Sequence, residues 1–170
     1  MGNNFVNTVS NKSVSFSNLV TTPLYSGILI EGSKIAKSVW EKRLMIFIAE
    51  KNQNVIGSGI VGIELTELEW DKSNFKSQRD FLLEIVQQSR INKTYNKYIF
   101  TLQEKIGEMK LLEIEDLIAS LKIEEIKESK FKYYIEPPKS KFDLCDKHKV
   151  YINYLSEERK DNCLICSNEI

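Results

Sequence analysis

The fold is decided by residues 55–90, VIGSGIVGIELTELEWDKSNFKSQRDFLLEIVQQSR. Within this stretch the spacing of the apolar residues changes from that of a strand to that of a helix. Its first part, residues 55–65, is rich in apolar residues, which is typical of a buried strand. Later in the stretch the apolar residues have the spacing of one packed helix face; they are Phe75, Phe81, Leu82, Ile85 and Val86. We therefore predict a strand that ends at residue 65, followed by a helix that Ser73 or Asn74 caps and that ends near residue 90.

Further strands are predicted on the N-terminal side of this stretch. Residues 43–50 are strongly apolar and a polar, turn-forming tetrapeptide follows them, so residues 43–65 predict a β-hairpin. Residues 24–31 predict another strand, and the alternating residues 14–16 predict an edge strand. The first ten residues are expected to be frayed.

Two more apolar sets follow the first helix. The first set has helical spacing and consists of Tyr95, Tyr98, Ile99, Leu102, Ile106 and Met109. The second set is out of phase with it and consists of Leu111, Ile114, Leu117, Ile118 and Leu121. The phase slips near Gly107, which predicts two helices or one kinked helix. The mixed charges of residues 124–132 predict a solvated connection, and residues 131–135 predict a last strand.

All cysteine and histidine side chains of the chain lie close together near its C-terminus. They follow the pattern C-x2-H-x14-C-x2-C and are Cys145, His148, Cys163 and Cys166. Each short pair can turn both side chains toward one ion, and the spacer brings the second pair around to complete a tetrahedron, so we predict a Zn²⁺ site. With four protein ligands the site is closed and structural.

Other interpretations of these side chains remain open. The cysteines can be free and buried beside a hydrogen-bonded histidine, or two of them can form a disulfide and leave one unpaired. A disulfide needs an oxidising compartment. Cys163 and Cys166 also match a redox C-x-x-C pair, but that role gives no reason for the equal spacing of Cys145 and His148.

Residues 142–168 resemble a zinc ribbon or treble-clef knuckle of the Cys3His type. The shared arrangement is C-x2-H, then a strand that bears an aromatic residue, then C-x2-C. The family usually carries glycine after a knuckle ligand, whereas this chain has Lys149 and Ser167 at those positions. Such ribbons occur in nucleic-acid binders, nuclease accessories and protein adaptors, so the resemblance implies a bound metal and leaves the function open.

The order of these elements predicts an α+β fold: an N-terminal antiparallel β-sheet, about three helices, and a small C-terminal zinc knuckle. Pro137 and Pro138 stiffen the chain into a spacer and mark a boundary. We therefore predict an α+β domain over residues 1–136 and a zinc-ribbon-like knuckle over residues 137–170.

Composition excludes several classes of protein. The 170 residues contain 24 basic and 24 acidic side chains, which argues against a globally basic nucleic-acid binder and against an acidic, disordered chain. The longest apolar run has six residues, at positions 44–49, whereas a membrane-spanning helix needs about 20. The N-terminus has no basic segment followed by an apolar one, so we expect no secretory signal and a cytoplasmic location.

Two catalytic patterns are weak. Gly57, Gly59 and Gly62 match G-x-G-x-x-G, but a dinucleotide site needs a helix after the turn and an acidic residue that ends the next strand. No second strand is predicted there, so we interpret the glycines as a bulge or a close helix contact. If the only histidine binds metal, no Ser-His or Cys-His pair remains for nucleophilic catalysis.

The most acidic stretch of the chain, residues 64–71, has three possible uses. Its carboxylates belong to Glu64, Glu67, Glu69 and Asp71. They can bind Mg²⁺ or act as an acid–base pair, although such carboxylates are more often simply solvated. Around Trp70 they can instead form an aromatic anchor ringed by acid, which suits docking to a basic protein. Otherwise Trp70 packs into the core where the strand joins the helix.

We predict a non-enzymatic, zinc-stabilised protein-interaction module of the immunity, inhibitor or adaptor type. Its predicted partner contacts are Glu67, Glu69, Trp70 and Asp71. The acidic segment and the aromatic-rich helix after it loosely resemble small bacterial toxin-immunity proteins.

Two alternatives remain for the function. The first is a nucleic-acid-binding ribbon, associated with transcription or with a nuclease, whose basic side chains share one face. Those side chains are Lys147, Lys149, Arg159 and Lys160. The second is a small enzyme that uses the carboxylates near Glu64. No contact with a membrane is expected.

Overall fold

The computed structural model describes residues 3–52, 62–95, 104–127, 142–145, 147, 149 and 151–153. In these ranges the strands are β1 (Asn3–Asn7), β2 (Lys12–Phe16), β3 (Ile63–Glu64), β4 (Phe142–Leu144) and β5 (Tyr151–Asn153). The helices are α1 (Asn18–Ile35), α2 (Val39–Asn52), α3 (Phe75–Ile91) and α4 (Glu104–Ala119). A small N-terminal sheet accompanied by helices confirms the predicted α+β class.

The N-terminal sheet has the strand order β2-β1-β3. β1 and β2 are antiparallel, with Phe5 opposite Val14. β3 joins β1 in parallel, with Phe5 opposite Ile63. The chain passes through α1 and α2 between β2 and β3, and a parallel partner needs such a long connection. The sheet therefore combines one antiparallel pair, which differs from the predicted hairpin over residues 43–65, with one parallel strand.

The strands predicted over residues 24–31 and 43–50 are wrong, because these residues lie in α1 and α2. α1 contacts α2, α3 and α4, and all its residues from 23 to 32 are buried. Residues 44–48 of α2 are likewise buried without interruption. A helix enclosed on all sides needs no polar face, so its sequence loses the helical period and looks like a buried strand. The rest of the predicted hairpin, residues 53–61, lies outside the described residues.

The expectation of a frayed N-terminus is also wrong, because β1 is the central strand of the sheet. The Phe5 ring is buried and lies 5.8 Å from the Tyr25 ring and 6.2 Å from the Phe16 ring, measured between centroids. The buried Asn7 amide closes the following turn, since its Oδ1 accepts from the backbone nitrogens of Val9 (3.1 Å) and Ser10 (3.0 Å). The predicted edge strand over residues 14–16 is confirmed as part of β2.

The helix predicted to end near residue 90 is confirmed as α3, and its predicted apolar stripe is buried. In α4 the second apolar set, from Leu111 to Leu121, is buried as predicted. Two members of the first set are not, since Ile106 is 43% and Met109 49% exposed. The helix runs without a break through Gly107, which itself lies on the buried face. Only one of the two predicted stripes on α4 therefore packs on α3 and α1.

Two buried carboxylates join the helices. Glu115 of α4 forms a bidentate ion pair with Arg90 of α3, at 2.5 Å to Nε and 3.1 Å to Nη2. Glu31 of α1 accepts hydrogen bonds from Thr94 and Asn92, just after α3, and pairs with Lys34 at 2.9 Å. Because a buried charge is tolerated only when it is paired, these contacts fix the ends of the helices against each other.

β4 and β5 form an antiparallel pair, with Leu144 opposite Tyr151. β5 lies against α2 and α1, and Cys145, directly after β4, belongs to the main hydrophobic core. The predicted strand over residues 131–135 and the Pro137–Pro138 boundary lie outside the described residues. Among the described helices, none is long and apolar enough to cross a membrane.

Gly62→Ala is expected to destabilise the fold by about 2 kcal/mol or more, because a Cβ there meets the backbone oxygen of Asn4 in β1. Gly32→Ala is the matched control, since the atoms nearest to its Cβ belong to side chains: Met45, which must shift, and Ile85 at an ordinary contact distance of 3.5 Å. Alanine also favours a helix by about 1 kcal/mol over glycine. Urea unfolding followed by circular dichroism measures both variants. Equal midpoints of unfolding for the two would contradict the close approach of Gly62 to β1.

Candidate metal centre and acidic segment

The first predicted zinc ligand, Cys145, directly follows β4 at the start of the segment that leads to β5. Its side chain is only 8% exposed. Its backbone carbonyl accepts a hydrogen bond of 2.7 Å from the backbone nitrogen of Lys149. This bond closes a turn between Cys145 and Lys149. The other three predicted ligands, His148, Cys163 and Cys166, lie outside the described residues.

Lys149 has a φ of 54°, in the left-handed region that glycine adopts most easily. Lys149 is the residue that stands where knuckles usually carry glycine. A lysine in this conformation carries the strain cost of a side chain in that region.

Zinc chemistry suits the four predicted donors, because three thiolates and one imidazole are a common structural set for this ion. Within the described ranges, no group of three or more cysteine, histidine, aspartate or glutamate side chains is arranged to hold a metal ion. Cys145 is the one predicted ligand that these ranges include.

The carboxylate of Glu64 is engaged in local structure. Its Oε1 accepts hydrogen bonds from the backbone nitrogen of Thr66 (3.1 Å) and from the Thr66 hydroxyl (2.7 Å). It also accepts from the backbone nitrogen of Thr8 at 3.3 Å. Glu64 thereby caps the short helical turn Leu65–Glu67 and ties it to the end of β1. The hydrogen bonds of this carboxylate therefore stabilise local structure.

Asp71 is exposed and organises the turn before α3. Its carboxylate accepts from the Ser73 hydroxyl (2.6 Å), the Ser73 backbone nitrogen (2.9 Å) and the Asn74 amide (2.6 Å). These bonds, the Ser73 hydroxyl first, hold the pKa of Asp71 below its ordinary value. A carboxyl group with a lowered pKa is ionised at neutral pH, so Asp71 is suited to charge recognition and not to general-acid catalysis.

Trp70 lies in the core, which is the alternative placement considered for it, and its ring is not an exposed anchor. Its indole is 8% exposed and its Nε1 donates to the Leu65 carbonyl at 2.7 Å. Its centroid lies 5.1 Å from that of Trp40 and 5.4 Å from that of Phe75. Burial of a large aromatic ring here outweighs any surface role, because the ring fills the junction between β3 and α3.

The other predicted partner contacts remain accessible. Glu67 and Glu69 are half-buried and Asp71 is exposed. Glu69 has a φ of 52°, so the chain turns sharply there and passes from the short helical turn toward α3. Their proposed role in docking stays a prediction.

The glycine pattern is followed by β3 and a short helical turn instead of the helix that a dinucleotide site requires. Gly62 lies in contact with Asn4 of β1, so it permits a close approach to a strand. Gly57 and Gly59 lie outside the described residues.

The predicted basic face is described only in part. Lys147 and Lys149 are exposed, and Arg159 and Lys160 lie outside the described residues.

Sequence patterns did not indicate two other polar features. The hydroxyls of Tyr25, Ser89 and Tyr95 are buried and have no hydrogen-bond partner within the described part of the chain, and burial raises the pKa of Tyr25.

The second feature is a groove of about 540 Å³ between β2 and α4. Its lining residues are Asn11, Lys12, Ser13, Val14, Glu113, Asp116, Leu117 and Ser120.

Comparison with known proteins adds no relative from which a role can be transferred. No family model, no curated protein and no solved structure matches this chain.

Proposed function

We propose that this chain is a non-enzymatic protein-interaction module of the immunity, inhibitor or adaptor type that acts in the cytoplasm. Its C-terminal segment holds one structural zinc ion through Cys145, His148, Cys163 and Cys166. The observation that carries the zinc site is the tight turn from Cys145 to Lys149, with its left-handed residue at the usual glycine position. Ligand pairs separated by a few residues of turning chain are typical of structural zinc sites.

The position of Cys145 supports a structural role for the metal. The β4–β5 pair lies on α2 and α1 through β5, and Cys145 is part of the main core. Zinc binding is folding free energy for the segment that supplies the ligands. A metal held there therefore also stabilises the contact between this pair of strands and the helices.

Binding is favoured over catalysis because the described carboxylates of the acidic segment maintain structure. Glu64 caps a turn and Asp71 organises the start of α3. Glu67, Glu69 and Asp71 nevertheless place three accessible carboxylates within five residues of the chain, which we interpret as one acidic patch. Such a patch steers association with a basic partner protein and sets its orientation.

The exposed Lys147 and Lys149 favour the second candidate, a nucleic-acid-binding ribbon. Both lie in the turn of the β4–β5 pair, where lysines can contact phosphates. The equal numbers of acidic and basic residues weigh against a large electrostatic contribution, so we rank this function second.

Affinity purification of the tagged chain from its own host, with and without nuclease, tests the two functions. We expect a stoichiometric protein partner that survives nuclease and is lost from a Glu67→Lys, Glu69→Lys double variant. Lys147→Ala with Lys149→Ala is the matched control and should retain the partner. Nucleic acid that co-purifies, or partners that vanish with nuclease and with the lysine variant, would support the ribbon instead.

A further inference from the structure

α4 carries a row of exposed side chains on the side that faces away from the core. The row has the alternating spacing of four and three residues of a coiled-coil seam, and consists of Lys105, Met109, Leu112 and Asp116. We call it the α4 seam. Met109 is 49% and Leu112 is 44% exposed, and the side chains at both ends are exposed as well. The buried residues of α4 lie about half a turn away, so the α4 seam is on the outer face of the helix.

The centre of the α4 seam is apolar. Met109 and Leu112 are neighbours on successive turns, and Ile106, which is 43% exposed, precedes Met109 by one turn. Single exposed apolar residues are ordinary on a protein surface. Three of them on successive turns, two at the spacing of a seam, are instead typical of a helix that packs against another helix. The α4 seam is therefore suited to a helical partner.

The charges at the two ends of the α4 seam favour a second copy of α4 as that partner. Lys105 lies one turn before the apolar centre and Asp116 one turn after it, and neither forms an ion pair with another described residue. In an antiparallel pair of identical helices, position 105 faces position 116 and position 109 faces position 112, because both pairs are centred on the same point of the helix. Opposite charges then meet at both ends of the seam. A parallel pair would bring like charges together, because each position would face itself.

We propose that two copies of this chain associate through the α4 seam as a two-fold symmetric, antiparallel pair of helices. A two-fold interface uses the same surface on both copies, so that surface must be complementary to itself. Contacts between Met109 and Leu112 exclude water at the centre, and the two pairs of Lys105 with Asp116 set the direction and register. The inference goes beyond the proposed function and depends neither on the zinc ion nor on the acidic segment.

The size of the α4 seam sets the strength of this dimer. The seam is about 16 Å long and each copy contributes one helix, so the buried area is at the low end for protein interfaces, below about 1,200 Å² in total. Interfaces of that size are typical of weak association. We therefore expect a monomer–dimer equilibrium with a dissociation constant in the micromolar range. Sedimentation equilibrium of the full-length chain measures it, in a thiol reductant so that the cysteines form no intermolecular disulfide.

Two sets of variants test the geometry. Met109→Lys should weaken the dimer at least about tenfold, because the symmetry places the new charge in the apolar centre twice. Val39→Lys changes an exposed apolar residue at the start of α2 and is the matched control, which should leave the dimer unchanged. Lys105→Glu alone, or Asp116→Lys alone, should weaken it about tenfold, because two like-charge contacts replace two ion pairs. An equimolar mixture of these two charge variants should restore the original affinity, since opposite charges meet again at both ends of the mixed dimer.

Three results would overturn the dimer. The first is a chain that stays monomeric at the highest concentration reached, and the second is a dimer that Met109→Lys leaves as strong as before. The third is a mixture of the two charge variants that associates no better than either one alone. A monomeric chain whose co-purified partner is lost from Met109→Lys would place that partner on the α4 seam instead of a second copy. If the chain is monomeric and Met109→Lys retains the partner, the dimer fails and the proposed function stands; a dimer without any co-purified partner gives the reverse.

Discussion

Replacing Cys163 with serine is expected to lower bound zinc from one ion per chain to a small fraction of that. A neutral hydroxyl is a poor substitute for a thiolate, and zinc-finger peptides derive about 10–16 kcal/mol of folding free energy from the ion at pH 7. Elemental analysis of the dialysed protein measures the metal content. Hydrogen exchange should show faster exchange over residues 142–153, with the amides of α1 and α3 still protected.

Ser167→Ala is the matched control for metal content, since it changes a hydroxyl beside Cys166 without removing a proposed ligand. Cys145→Ser should lose the metal as well, and its effect on stability should be larger because Cys145 also packs in the core. One full equivalent of zinc in Cys163→Ser would contradict the four-ligand site. An absence of zinc from the unaltered chain purified without chelators would contradict it too.

Trp70→Ala is expected to destabilise the protein by about 3–5 kcal/mol, the usual cost of truncating a buried aromatic ring. The indole packs between Trp40 and Phe75, and its Nε1 satisfies the Leu65 carbonyl. Trp70→Phe keeps part of the ring contacts and loses this hydrogen bond together with the volume of the second ring, so we expect a smaller cost of about 1–3 kcal/mol. Urea unfolding followed by circular dichroism at the helix band measures all three proteins.

The exposed neighbour Lys72 offers a control at the same junction, and Lys72→Ala should change stability by no more than about 0.5 kcal/mol. An unchanged midpoint of unfolding in Trp70→Ala, together with loss of a co-purified partner, would restore the surface-anchor role of the ring. A free energy of unfolding that increases from alanine through phenylalanine to tryptophan at position 70 would establish that the ring stabilises the core.

The spacing of apolar residues in the sequence correctly predicted the helices and strands that have one buried and one exposed face. α3 and the Leu111–Leu121 stripe of α4 pack one side on the core and leave the other in water, so their helical period is visible in the sequence. β2 alternates for the same reason. Residues 23–32 of α1 and 44–48 of α2 are buried without interruption, and the sequence cannot distinguish a helix from a strand there.

Ile106 and Met109 show a second limit of prediction from helical period, because an apolar stripe can be predicted where the structure leaves it exposed. Their spacing predicts a packed stripe, yet α4 turns the Leu111 side to the core. Which of two apolar faces is covered depends on the helices and strands that surround it, and helical period alone does not choose between them. The groove beside β2 has the same origin, because it exists only where α4 passes the edge of the sheet.

The amino-acid sequence by itself determined the α+β class, the position of α3 and the set of residues that suit a zinc ion, because these follow from local period and donor spacing. The tertiary structure alone decided that α1 and α2 are helices, that β1 is central and that Trp70 is buried. It also decided that β2 lies at the edge of the described sheet, beside α4. Burial on every side, and contact between residues distant in the chain, leave no periodic trace in the sequence.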